Sequence, residues 1–109
     1  MSQRVAKIES VIQQVVAKTL TQFLERDAAK VTVTRVDAAP DLRNATVWIG
    51  LLMAGRAQDV LWKRVEATQP GLQIALAHHL ETKFVPHLVL KLDTGGAYAA
   101  EIDRLLKDL

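Results

Sequence analysis

An α+β sandwich, in which helices pack on one face of a three-stranded mixed sheet, is the fold this sequence predicts. Three observations carry that expectation. The apolar period is helical at the start, switches to alternation over two runs joined by a short link, and turns helical again before a third apolar run. A single proline–glycine break, Thr68-Gln69-Pro70-Gly71, divides the second helical stretch into two helices. At 109 residues the chain fits one domain that buries roughly two-thirds of its unfolded surface, enough for one core without staples.

From Val5 to Phe23 the apolar residues Val5, Ile8, Ile12, Val15, Val16, Leu20 and Phe23 fall mostly three or four apart, predicting one buried face of a first helix. Lys30 to Val36 alternates β-branched with polar residues, a strand that ends near Ala39-Pro40-Asp41, where proline and aspartate favour a turn. Ala45 to Leu51 is the second strand, and the short link predicts that the two pair antiparallel. Trp48 on this strand reads either as an exposed aromatic or as a half-buried one.

Gln58 to Ala67 predicts a short helix burying Val60, Leu61 and Val65, with Trp62 beside them. Pro70, without an N–H, ends or kinks it and suits the start of the next helix, whose inner face is Leu72, Ala75, Leu76, His79 and Leu80. Leu88 to Leu92 is so continuously apolar that it predicts a central strand, placed parallel to the first after the helical crossover. Thr94-Gly95-Gly96 is a turn, and Ile102, Leu105, Leu106 and Leu109 mark a C-terminal helix over Tyr98 to Leu109. The order is α-β-β-α-α-β-α, a single domain over 1–109 with a helical extension at about 96–109, without internal repeats.

Composition excludes several classes of function. No apolar run approaches the ~20 residues of a membrane span, and Glu9, Gln13 and Gln14 interrupt any secretory h-region, so a soluble cytoplasmic protein is expected. Without cysteine there is no disulfide framework, thiolate nucleophile or Cys-ligated zinc. A metal site is not expected, because the adjacent His78 and His79 point about 100° apart on a helix. Ser2 and Ser10 are the only serines, and the carboxylates form no acid–base pair, so neither an enzyme nor a cofactor is expected. The formal charge of +2 permits nucleic-acid binding without announcing it.

The opening helix from Arg4-Val5, the run Val31 to Val36, the run Pro40-Asp41-Leu42-Arg43-Asn44-Ala45-Thr46-Val47-Trp48-Ile49, and the run from Leu80 through Val85-Pro86-His87-Leu88 to Asp93 together resemble one family. It is ribosome-binding factor A, bacterial factors for maturation of the small ribosomal subunit. The resemblance spans nearly the whole chain. It implies a KH domain of type II topology, a monomer without membrane partners that binds the immature 30S subunit through 16S rRNA and small-subunit proteins. The implied task is late processing of the 5′ region of that RNA. The family's bend usually carries Ala-x-Gly. Counted back from Pro86, the matching positions are Thr68, Gln69 and Pro70, so this chain departs from the signature.

No Gly-x-x-Gly occurs among Gly50, Gly55, Gly71, Gly95 and Gly96, which disfavours an ordinary KH clamp on the backbone. The expected RNA contacts are Lys63, Arg64 and Lys83, joined by the N-terminus of the helix after Pro70. Gln73 is placed with them, and His78-His79 offer donors or a stacking surface. Arg43 in the turn either meets RNA or organises the hairpin with Asp41 or Asp37, and Arg4 and Lys7 are basic groups near the chain start. For Lys63, Arg64 and Lys83 a solvated helix face is the competing reading, and for Arg4 and Lys7 a disordered basic end. The competing function is a protein-interaction module on the same scaffold, without RNA.

Overall fold

The computed structural model describes residues 3–80 and 84–94. In chain order these form α1 (Gln3–Leu24), a 3-10 turn (Glu25–Lys30), β1 (Val31–Ala38), β2 (Asn44–Leu51), α2 (Gly55–Ala67), α3 (Gln69–His79) and β3 (His87–Leu92). The expected C-terminal helix and Lys83 lie outside the described residues.

The sheet order is β1-β2-β3, with β1 antiparallel and β3 parallel to β2. β2 is therefore the central strand, and the expectation that the third strand is central and pairs with the first is corrected. The physical reason lies at the outer edge of β3. The Gln73 amide donates to the Pro86 carbonyl at 2.7 Å and accepts from the Leu88 N–H at 2.9 Å, while Gln69 donates to the Leu88 carbonyl at 2.9 Å. Two side chains of α3 thus satisfy the first backbone groups of an edge that a neighbouring strand would otherwise pair. An apolar edge strand covered in this way reads like a central one.

Period-2 alternation gives the sheet two unlike faces. Ala45, Val47, Ile49 and Leu51 of β2 all face the helices and are buried, beside Val36 of β1 and Leu88 of β3. Ile12, Val16 and Leu20 of α1, Leu61 and Val65 of α2, and Leu72 and Leu76 of α3 close the same core. Three residues expected in the buried faces are exposed instead: Val60, Phe23 and His79. Each lies at the rim of an apolar stripe, where the helix turns its flank to water.

Trp48 is half-buried on the other face, held across the strands. Its register partners are Arg35 and Lys91, whose cationic ends lie 4.8 and 5.6 Å from the ring centroid. Asp37 accepts from the indole N–H at 3.1 Å and pairs with Arg35 at 3.2 Å. Thr34 is the extra residue where the β1–β2 register shifts, and its hydroxyl lies 2.7 Å from Asp93 and 3.2 Å from the Trp48 carbonyl. A hydroxyl carries one proton, and the shorter, charge-assisted contact to the carboxylate takes it.

Two turns set the ends of the strands. Gly55 opens α2 at φ +67°, a conformation glycine adopts freely, and Gln58 donates back to the Met53 carbonyl at 2.9 Å. Between β1 and β2 the Leu42 N–H donates to the Ala39 carbonyl, closing a β-turn, and Leu42 itself stands at φ 59°. For a leucine that left-handed conformation costs on the order of 1 kcal/mol.

Candidate nucleic-acid interface

The bend between α2 and α3 is one residue long. α2 ends at Ala67 and α3 begins at Gln69, with Thr68 between them at φ −80° and ψ −10°, still within the helical region. Pro70 sits in the first turn of α3, where its missing N–H leaves the Glu66 carbonyl without its usual helical partner and turns the chain. Thr68 does not cap α3 with its side chain. Its hydroxyl donates back to the Val65 carbonyl at 2.6 Å, and Gln69 reaches β3. A Cβ on Gly71 would stand 2.6 Å from the Phe23 ring, so α1 approaches the bend closely enough that any side chain there must displace that ring. The helix N-terminus expected to meet a phosphate therefore has Phe23 against it and a proline in its first turn.

At the other end of α1 lies an open groove of about 620 Å³. Val5 and Ile8 of α1, Leu80 after α3 and the buried Pro86 give it half-buried or buried apolar walls. Pro40, Leu42 and the exposed Phe84 complete the apolar lining, with Arg4, Asp41 and Arg43 as its charged groups. Arg43 does not organise the hairpin through its guanidinium. Its backbone N–H donates to Asp41 Oδ1 at 3.0 Å and its carbonyl accepts from the His87 N–H, while the Asp37 carboxylate is engaged by Arg35. That leaves the Arg43 side chain exposed at the groove. Lys7 is exposed on α1, one turn beyond Arg4.

The remaining predicted contacts do not join this group. Lys63 and Arg64 are exposed on α2, and Arg64 is ion-paired with Asp27 in the 3-10 turn that follows α1. Gln73 is committed to the edge of β3, and Gln69 donates to it at 3.1 Å. His78 and His79 are exposed in the last turn of α3, immediately before Leu80 of the groove. A helix of 22 residues is about 33 Å long, so Arg4 and Lys7 lie near one end of α1 and Arg64 is anchored beyond the other. Among the described residues the predicted cations form two groups rather than one patch. Among the described residues no cluster of His, Asp and Glu could hold a metal ion, and no helix is long and apolar enough to cross a membrane.

A three-stranded mixed sheet with an α-bend-α unit crossing it is the frame that the resemblance implied. The family model described as ribosome-binding factor A matches residues 4–106. The chain belongs to the ribosome-binding factor A family. A ribosome-binding factor A of Rhodopseudomonas palustris (strain BisB18) is 32% identical over 97% of this chain and 80% of its own. Another, from Opitutus terrae, is 26% identical over all of this chain and 89% of its own.

Solved members of the ribosome-binding factor A family share the fold. The solution structure of a Thermotoga maritima protein superposes with a TM-score of 0.73 at 24% identity, covering 89% of this chain and 93% of that one. The crystal structure of ribosome-binding factor A from Thermus thermophilus gives 0.67 at 17% identity, over 81% and 93%. A homology model of Thermus thermophilus ribosome-binding factor A, fitted into the cryo-EM map of a complex with the 30S subunit, gives 0.61 at 14% identity, over 80% and 92%. Within this frame sequence reasoning missed the groove. Leu42, Leu80 and Phe84 come from three separate segments, and no local pattern brings them together.

Proposed function

We propose that this chain is an assembly factor of the small ribosomal subunit, which binds the immature 30S particle through 16S rRNA and assists late maturation of the RNA's 5′ region. The observation that carries the reading is the family match over residues 4–106. The related factor fitted on a 30S particle supplies the partner. The chain acts by occupancy, as a cytoplasmic monomer of one KH-like domain, and leaves when RNA and neighbouring small-subunit proteins reach mature geometry.

The exposed cations support contacts with phosphate. Lys63, Arg43, Arg4 and Lys7 stand on the surface, and neither Lys63 nor Arg43 has a side-chain partner among the described residues. A formal charge of +2 neutralises few phosphates, so affinity for free RNA is low and the assembled particle supplies most of the specificity. The test is sedimentation of cell lysate at low salt. The protein is expected in the free small-subunit fraction and absent from translating ribosomes, and its absence from the small-subunit fraction overturns the reading.

A further inference from the structure

We infer that the groove at the start of α1 receives one unpaired RNA base, with the Arg43 guanidinium at its mouth meeting an adjoining phosphate. The inference rests on the reading of the chain as a binder of small-subunit RNA and adds the place and manner of one contact. Size is the first observation. About 620 Å³ falls within the range of sites that enclose a small ligand, and a nucleotide needs no more.

Chemistry is the second. An unstacked base seeks flat apolar surfaces, and its phosphates seek guanidinium groups. Pro40 and the 79% exposed Phe84 present the former, and Arg4 and Arg43 line the same groove. Among the described residues the one carboxylate lining it is Asp41, which accepts the Arg43 backbone N–H within the turn. Arginines also suit an acidic peptide. The flat proline and phenylalanine walls favour the base.

The third observation is Leu42. A left-handed position in a turn is ordinarily filled by glycine or asparagine, because a side chain there is strained. This chain keeps a leucine at φ 59°, and that leucine is not among the residues packed on the core. Its side chain lines the groove instead. A strained residue that adds nothing to the core but shapes an open cavity is held there for what enters the cavity.

The strain also supplies the test. Leu42→Gly removes the groove wall while relaxing the turn, so a site for RNA and a merely structural leucine give opposite results. Purified small subunits are titrated with wild-type protein, Leu42→Gly and Arg43→Ala, and each protein is melted alone. Roughly tenfold weaker subunit binding is expected for both variants, with the melting temperature of Leu42→Gly unchanged or raised. A short single-stranded oligoribonucleotide carrying 2-aminopurine is then expected to lose fluorescence on wild-type protein and not on Leu42→Gly. Wild-type subunit affinity in Leu42→Gly overturns the inference and leaves the assembly-factor reading standing. So does a quench that Leu42→Gly retains, or an acidic peptide that displaces the protein from small subunits when the oligoribonucleotide does not. If wild-type protein itself fails to bind small subunits, the assembly-factor reading falls with it.

Discussion

Gly71 and Phe23 illustrate how a single atom decides the sign of a substitution. Alanine is favoured over glycine inside a helix by about 1 kcal/mol, yet its Cβ at position 71 would stand 2.6 Å from the Phe23 ring. The ring is 45% exposed and can swing away, at the loss of its packing. Gly71→Ala is therefore expected to be neutral or destabilising by up to about 1 kcal/mol in the wild-type chain, and stabilising by about 0.5 kcal/mol in a Phe23→Ala background. Urea denaturation of the four proteins in the double-mutant cycle measures the difference, and equal effects in both backgrounds would show that the two residues are not coupled. Gln73 presents the opposite case. Its amide fills both a donor and an acceptor role at the β3 edge, so Gln73→Ala leaves the Pro86 carbonyl and the Leu88 N–H without that partner. A loss of about 1–3 kcal/mol is expected, read by the same denaturation, with binding to small subunits retained by the fraction that stays folded.

Among elements, the bent pair α2–α3 separates what patterning reveals from what it does not. Leu72 and Leu76 are completely buried one turn apart on α3, whereas Val60, on the preceding helix, is 59% exposed. Leu72→Ala is expected to cost about 2–5 kcal/mol and Val60→Ala no more than about 0.5 kcal/mol. Thermal or chemical denaturation checks both, and a large loss at Val60 would mean that α2 is rotated. The location of the bend was legible, since a proline in that position permits little else. Its construction was not. Thr68 bonding backward to Val65 and Gln69 bonding across to β3 depend on which groups the sheet brings within reach, and that is a property of the packed molecule.

On the scale of the whole molecule, Arg4, Lys7 and Arg43 lie at one end of α1 and Lys63 and Arg64 toward the other, and the division has a measurable consequence. Phosphate contacts contribute separately to the salt dependence of binding, and sites this far apart do not share partners. Lys63→Ala with Arg64→Ala, and Arg4→Ala with Arg43→Ala, are each expected to weaken small-subunit binding and flatten its salt slope, with the two reductions adding in the quadruple variant. Stability is expected to change by about 0.5 kcal/mol or less in the α2 pair, because the Arg64–Asp27 ion pair is partly exposed to water. Binding measured from low to moderate salt tests this, and an unchanged slope for either pair assigns that pair to the solvated surface.

By itself the sequence determined the order of the helices and strands from α1 to β3, the antiparallel hairpin, the one-sided core and the family. These follow from local period and short links, which act within a few residues of each other. Only the tertiary structure decided which strand is central, because the answer turned on two glutamine side chains reaching an edge from a helix that precedes it. It also decided that the predicted contacts form two groups, and that Leu42, Leu80 and Phe84 share a groove with Arg4 and Arg43. Such groupings join residues distant along the chain, and their spacing is set by how helices lie on a sheet rather than by any repeat in the sequence.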